Sequence, residues 1–165
     1  MKIVFLDIDG VLTVPATKFK AFHPDCLKAL RRILETTDAK MVLSSCWRHG
    51  FIDWPNEALI HHTNAIPTMK RWFVDAGWPQ DLADRLIDKT PDFVCTDINS
   101  PFASDHRGTE ISMWLAKNKI DSFVILDDDC DMEPHLSRHV LTDGEKGLSE
   151  SNADRAISLL TEKTS

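Results

Sequence analysis

Lys2-Ile-Val-Phe-Leu-Asp-Ile-Asp-Gly-Val-Leu12, the stretch KIVFLDIDGVL, decides the fold. Its first five residues, Lys2 to Leu6, form a short continuous apolar run rich in β-formers and closed by an acidic loop. Such a run suits a strand buried on both faces, and strands of that kind belong to parallel sheets. Asp7 and Asp9 stand two apart with Ile8 between them. In extended backbone both side chains project to the same side, an arrangement that is costly unless a cation sits between them. Mg²⁺ fits, because it prefers oxygen ligands and keeps positions open for water or a substrate phosphate. Gly10 would let the backbone turn tightly beside such an ion.

Outward from this strand, the hydrophobic period changes. Leu27, Leu30, Ile33 and Leu34 recur at helical spacing after Pro24, a residue suited to a first helical turn. Met41 to Leu43 then reads as a second buried strand ending in Ser44 and Ser45, which completes a βαβ unit with a right-handed crossover. The pattern predicts a helix from Pro67 carrying Met69, Trp72, Phe73 and Ala76, capped by Gly77. A short helix after Pro79 carries Leu82, Ala83, Leu86 and Ile87, and Pro91 to Asp105 reads as loop. Gly108 to Asn118 repeats at Ile111, Trp114 and Leu115, and the strand Ser122 to Leu126 follows, ending in Asp127, Asp128 and Asp129. His139 to Leu141 reads as a strand. Ser151 with Asp154 resembles a capping box for a last helix bearing Ala153, Ala156, Ile157 and Leu160. Alternation of this kind predicts an α/β domain, residues 1–165, around a doubly wound, mainly parallel sheet.

Composition narrows the function. An apolar fraction of 42% and a charged fraction of 27% describe an ordinary globular chain. The net charge of −7 opposes tight non-specific binding to a polyanion. Lys18 with Lys20, or Lys28 with Arg31 and Arg32, would have to supply any local basic patch. No apolar run approaches the roughly 20 residues that cross a bilayer, and Met1 leads directly into a strand-like segment without a cleavable signal pattern. The four cysteines form no CxxC pair. A cytoplasmic protein with reduced thiols, no membrane association and no stable protein partner is expected. His61 and His62 are adjacent and lack the i, i+4 spacing of a zinc-binding face, so they read as surface loop.

In an open parallel sheet, ligands bind beyond the carboxyl ends of the strands, and here those positions hold acids and serines. Asp7 is the candidate nucleophile on phosphorus, forming an acyl phosphate that splits hydrolysis into two steps. Asp9 is the candidate acid/base, giving a proton to the leaving oxygen and later taking one from water. Ser44 would donate to a non-bridging phosphate oxygen, and Arg107, opening a predicted helix, would neutralise the phosphoryl charge. Asp128 could join Asp7 and Asp9 as a metal ligand. Trp47 and Trp54 fall just past the Ser44 strand end, beside Arg48, where an aromatic and a cation could hold a nucleotide; core packing is the competing reading. Trp72 and Trp114 lie on apolar stripes and read as core.

FLDIDGVL (Phe5 to Leu12), LSS (Leu43 to Ser45), Arg107 and FVILDDD (Phe123 to Asp129) resemble, in order and spacing, the four motifs of the haloacid dehalogenase superfamily. LSSCWR, RGTEISMWL, ILDDDCDM and LTDGEKGLS resemble more narrowly the haloacid-dehalogenase-like domain of Swiss Army Knife RNA repair proteins. The resemblance implies a three-layer Rossmann-like core with at most a minimal cap, and Mg²⁺ held by Asp7, Asp9 and Asp128. It also implies Asp7 as nucleophile, Asp9 as acid/base, Ser44 on the phosphate and Arg107 in the cationic role; from the residues themselves, Gly10, Ser45, Trp47 and Arg48 are the candidates for holding the substrate. Some alternatives stay open. The cation is usually a lysine, with Lys89 and Lys117 as the other candidates; Ser45 competes with Ser44; the acidic ligand can shift by one to Asp127; Asp131 can orient a metal-bound water. The implied activity is a phosphomonoesterase acting on a nucleotide or polynucleotide phosphate end. A small-metabolite phosphatase is the alternative if the segment from His49 to Asp105 folds over the site. A phospho-acceptor signalling module is disfavoured by motif order, and a non-catalytic binding domain by the completeness of the set.

Overall fold

The computed structural model describes residues 1–53, 58–92 and 107–162. Five strands form one parallel sheet in the order β5-β2-β1-β6-β7, where β1 is Lys2–Leu6, β2 Lys40–Leu43, β5 Leu86–Lys89, β6 Ser122–Asp127 and β7 His139–Leu141. Between them run α1 (Pro24–Thr37), α2 (Ala65–Asp75), α3 (Gln80–Ala83) and α4 (Arg107–Leu115), and α5 (Glu150–Thr161) follows β7. A separate two-stranded antiparallel hairpin is formed by β3 (Gly50–Asp53) and β4 (Ala58–His61).

β1 takes the centre because both of its faces are apolar. Ile3, Val4, Phe5 and Leu6 are all fully buried. Val4 and Leu6 pack into the core with Leu30 and Ile33 of α1 and Ala156 and Leu160 of α5, whereas Ile3 and Phe5 pack with Ile111 and Trp114 of α4. Alternation along one strand thus feeds two helical layers, giving the three-layer α/β architecture expected. Each such side chain contributes about 1.5–3 kcal/mol on burial. Among the described residues, no helix is long and apolar enough to cross a membrane.

Register is the feature that builds the site. Leu6 lies opposite Leu43 of β2 and Leu126 of β6, so β1 and β2 finish level and β6 runs one residue further, to Asp127. The Ser44 N–H continues the ladder to the Leu6 carbonyl at 2.8 Å, and the Asp7 N–H continues it to the Leu126 carbonyl at 3.0 Å. Asp7, Ser44 and Asp127 therefore emerge side by side at the carboxyl edge.

Several elements differ from the sequence expectation. Leu86 and Ile87 belong to β5, paired with β2 from Met41 onward, and α3 stops at Ala83. A short apolar run suits either element, and the open side of β2 decides for strand. α2 begins at Ala65, which puts Pro67 inside its first turn, where its missing N–H is harmless. The capping box of α5 is Ser149 with Asn152: the Ser149 hydroxyl accepts from Asn152 N–H at 3.2 Å, and Asn152 Oδ1 accepts from Ser149 N–H at 3.0 Å. Asp154 instead pairs with Arg32 of α1. The hairpin is a further departure; its β4 ends at His61, where a loop is expected. Gly50, at φ +135°, allows the close crossing there, since a Cβ would stand 2.5 Å from the Ile60 carbonyl oxygen. Trp54 and the expected loop from residue 93 to 105 lie outside the described residues.

Candidate active site

Asp7 is the first residue past β1 and only 6% exposed. Immediately after it the chain leaves extended conformation. The N–H groups of Leu12 and Thr13 both bond the Ile8 carbonyl, at 2.8 and 2.9 Å, and Gly10, at φ +69°, bonds the Thr13 carbonyl at 2.9 Å. This turn carries Asp9 sideways. Its Oδ1 accepts from Thr13 Oγ1 at 2.6 Å and its Oδ2 from Trp47 Nε1 at 2.8 Å.

The acids that do converge are Asp7, Asp127 and Asp128, each offering a carboxylate oxygen within 4.8 Å of the others. The Asp9 carboxylate lies outside that cluster, held by Thr13 and Trp47. Period-two alternation places Asp9 beside Asp7 only if the backbone stays extended, and it does not. Asp128 is cradled by two glycines: a Cβ at Gly10 would lie 2.2 Å from Asp128 Oδ2, and one at Gly144 would lie 2.7 Å from it. The Thr142 hydroxyl holds the Gly10 carbonyl at 2.8 Å, locking that cradle to the end of β7.

Arg107 opens α4, with its own N–H held by Asp131 Oδ2 at 3.1 Å. Asp131 thus caps the helix that presents the cation. The guanidinium donates through Nη1 to the Ser44 carbonyl and to Asp7 Oδ1, the latter at 3.3 Å, while Nε stands 3.3 Å from Asp127 Oδ2. Lys89, by contrast, bonds the Arg48 carbonyl at 2.9 Å, and Lys117 is exposed beyond the C-terminal end of α4. Among the described residues, Arg107 is a cation brought to the carboxylates.

Electrostatics follow from crowding. Burial pushes the Asp7 carboxyl up to about 6 against the opposing pull of Arg107 and a hydrogen bond from Ser45. Burial, and then repulsion from Asp7, push Asp127 up to about 8. Asp128 is raised by burial and by its neighbour Asp129. Burial works against the Arg107 charge, but Asp127 and Asp7 outweigh it and the guanidinium is held firmly protonated. Buried atoms without a hydrogen-bond partner among the described residues include Ser44 Oγ, Asp131 Oδ1 and Asp127 Oδ2, the last in ion-pair range of Arg107. Unpartnered buried polar atoms are uncommon, and at a strand end they suit a site shaped for a ligand. An all-oxygen set of three crowded carboxylates is the donor chemistry of a hard divalent cation.

Ser45 and Ser44 divide their tasks. The Ser45 hydroxyl bonds the Asp7 carboxylate and caps the 3-10 turn Cys46–His49, accepting from the Trp47 N–H at 3.4 Å, whereas that of Ser44 is uncommitted among the described residues. Trp47 and Arg48, read as substrate holders, take a different place. Trp47 is 8% exposed, with its ring covered by Phe51 and Trp72 at centroid distances of 4.6 and 5.5 Å. Arg48 is 5% exposed and donates to Glu110 Oε1 at 2.5 Å and to the Ser45 carbonyl at 2.9 Å. Neither side chain offers a free face, because the turn after β2 folds inward against the aromatic cluster and α4. Glu110, Thr13 and Gly144 are site-building residues that sequence reasoning missed. Only Glu110 carried a signal, being an acid one turn after Arg107.

The family model described as "HAD domain in Swiss Army Knife RNA repair proteins" matches residues 3–153, a span holding every residue of this site. No curated protein and no solved structure matches the chain.

Proposed function

Given that the chain belongs to the family of HAD domains in Swiss Army Knife RNA repair proteins, we propose that it is a Mg²⁺-dependent phosphomonoesterase working through a phospho-aspartyl intermediate on Asp7. The observation that carries this reading is the shared register of the strand ends, which sets the Asp7 carboxylate against the Arg107 guanidinium and the Ser45 hydroxyl, with the unpartnered Ser44 hydroxyl on the adjoining strand end. An anionic, tetrahedral group seated against Asp7 would find a cation and a hydroxyl donor already in position.

An Asp7 carboxylate oxygen attacks phosphorus in line. The bond from phosphorus to the leaving oxygen breaks, and that oxygen takes the proton from the Asp9 carboxyl. A water then attacks the acyl phosphate, its proton passes to Asp9, and cleavage of the Asp7–phosphoryl bond releases inorganic phosphate. Arg107 and Ser44 hold the non-bridging oxygens through both steps, as donors fixed before the charge develops. Asp7, Asp127 and Asp128 would hold Mg²⁺, which when bound keeps these carboxylates ionised and shares the charge of the phosphoryl group.

The substrate class is a nucleotide or polynucleotide phosphate end. The net charge of −7 argues for engagement of an end rather than a long stretch of backbone. Free thiols at Cys26, Cys46 and Cys130 go with a reducing, cytoplasmic setting. The test is phosphate release from p-nitrophenyl phosphate, nucleoside monophosphates and 3′- or 5′-phosphorylated oligonucleotides, with Mg²⁺ or EDTA, for the wild type and Asp7→Asn. Turnover by the wild type with Mg²⁺ alone, absent in the variant, supports the mechanism; an equally active Asp7→Asn sinks it.

A further inference from the structure

Asp9 and Trp47 stand far apart in the chain, yet the indole Nε1–H donates to Asp9 Oδ2 at 2.8 Å. With Thr13 Oγ1 on Oδ1 at 2.6 Å, both oxygens of the carboxylate are engaged and its rotation is fixed, while each oxygen keeps a second lone pair. The indole itself cannot turn. Phe51 and Trp72 enclose it, and its backbone lies in the turn Cys46–His49 that follows Ser44 and Ser45. The strand end that presents Ser44 therefore also aims the indole at Asp9. A buried indole needs an acceptor, and a backbone carbonyl would serve for packing alone. Here the acceptor is the carboxylate two residues past the candidate nucleophile.

We propose that Trp47 is a positioning residue for proton transfer, its Nε1–H holding the Asp9 carboxyl in line with the leaving oxygen and so setting how fast esters of basic alcohols are cleaved. This rests on Asp9 being the acid/base. As the phosphorus–oxygen bond breaks, its electron pair goes to the leaving oxygen. An alkoxide must receive the Asp9 proton at that moment, whereas a nitrophenolate departs without it. An indole N–H can only donate, so it keeps Oδ2 as acceptor whether Asp9 is charged or neutral. The contribution of Trp47 should consequently depend on the leaving group.

The experiment compares kcat and KM for p-nitrophenyl phosphate and a nucleoside monophosphate, in the full chain with Mg²⁺, for wild type, Trp47→Phe, Trp72→Phe and Asp9→Asn. Trp47→Phe keeps a ring against Phe51 and removes the donor together with part of the buried indole, a loss of packing that Trp72→Phe controls for. Its kcat on the alkyl ester should fall about tenfold or more, at least about fivefold beyond any loss on the aryl ester, with KM within about twofold. Trp72→Phe disturbs the same aromatic cluster and should keep the wild-type ratio between the two esters. Equal losses on both esters, or none, for Trp47→Phe overturn the proposal while a leaving-group-dependent Asp9→Asn leaves the acid/base reading intact. An Asp9→Asn variant with no such dependence overturns both. Should Trp47→Phe fail to fold, the indole N–H resonances of the wild type decide: one of the five tryptophan signals should shift and lose exchange protection in Asp9→Ala, and five unmoved signals overturn the proposal.

Discussion

Replacing Gly10 by alanine tests the cradle around Asp128 with one methyl group. Two costs can be worked from the structure. At φ +69° the backbone sits in the left-handed region, where an L side chain costs about 1–2 kcal/mol. The new Cβ would also stand 2.2 Å from Asp128 Oδ2 and 2.3 Å from its Cγ, distances at which the carboxylate must move. Gly144 also crowds the same oxygen, so the carboxylate has little room and its place beside Asp7 and Asp127 is disturbed. The first cost appears in stability: about 1.5 kcal/mol lowers the melting temperature of a chain this size by about 3–6 °C in EDTA. The second appears in metal binding, where displacing one of three carboxylates raises the Mg²⁺ concentration for half-maximal phosphatase activity by about 10–100-fold. Melting curves in EDTA and Mg²⁺ titrations of activity read the two separately. A Gly10→Ala protein that titrates Mg²⁺ like the wild type would show that Asp128 is not a ligand, and the cradle argument fails with it.

Arg48→Ala leaves Glu110 buried without its guanidinium, and such half-pairs cost about 3–5 kcal/mol; a urea midpoint within experimental error of the wild type would refute a structural role for the pair. The metal-free protein should lose stability as pH rises. Asp7 and Asp127 have raised pKa values, so the native state holds protons that the unfolded chain releases, and the stability present below pH 4 is lost as pH climbs through about 6 and about 8. Asp7 alone accounts for a loss on the order of 3 kcal/mol, so urea midpoints in EDTA should fall from pH 5 to pH 8, and Mg²⁺ should stabilise more at the higher pH. A midpoint that rises over that interval contradicts the crowding of the two acids.

The strands of the sheet core were legible because β1, β2 and β6 are continuous apolar runs, a pattern that only a doubly covered parallel sheet accommodates. Asp7, Ser44 and Asp128 were legible as candidates for a related reason: a buried strand followed by an acid or a serine is conspicuous in one dimension, whereas Arg107 was legible as a cation opening a predicted helix. Asp9 was legible as a polar residue near the site but not as one turned toward Trp47. Its orientation depends on Gly10 breaking the extended backbone and on a tertiary contact that no local period encodes. Arg48 illustrates the same limit, since its partner Glu110 lies on another element. The offset capping box arose because Ser149 and Ser151 are both plausible caps, and the contact of Asp154 with Arg32 that separates them is long-range.

The shared register of Leu6, Leu43 and Leu126 has a consequence for how such a chain can change. Adding or deleting one residue inside β1 would slide Asp7 by about 3.3 Å and turn it to the opposite face. Arg107 and Asp127 would then meet an isoleucine or a leucine where a carboxylate belongs. These strands can therefore exchange one aliphatic side chain for another with modest effect, but they cannot change length singly. Homologous chains should show substitutions within the three strands, with insertions and deletions confined to the connections, and engineered insertions should be tolerated at the amino edge of the sheet before anywhere near its carboxyl edge.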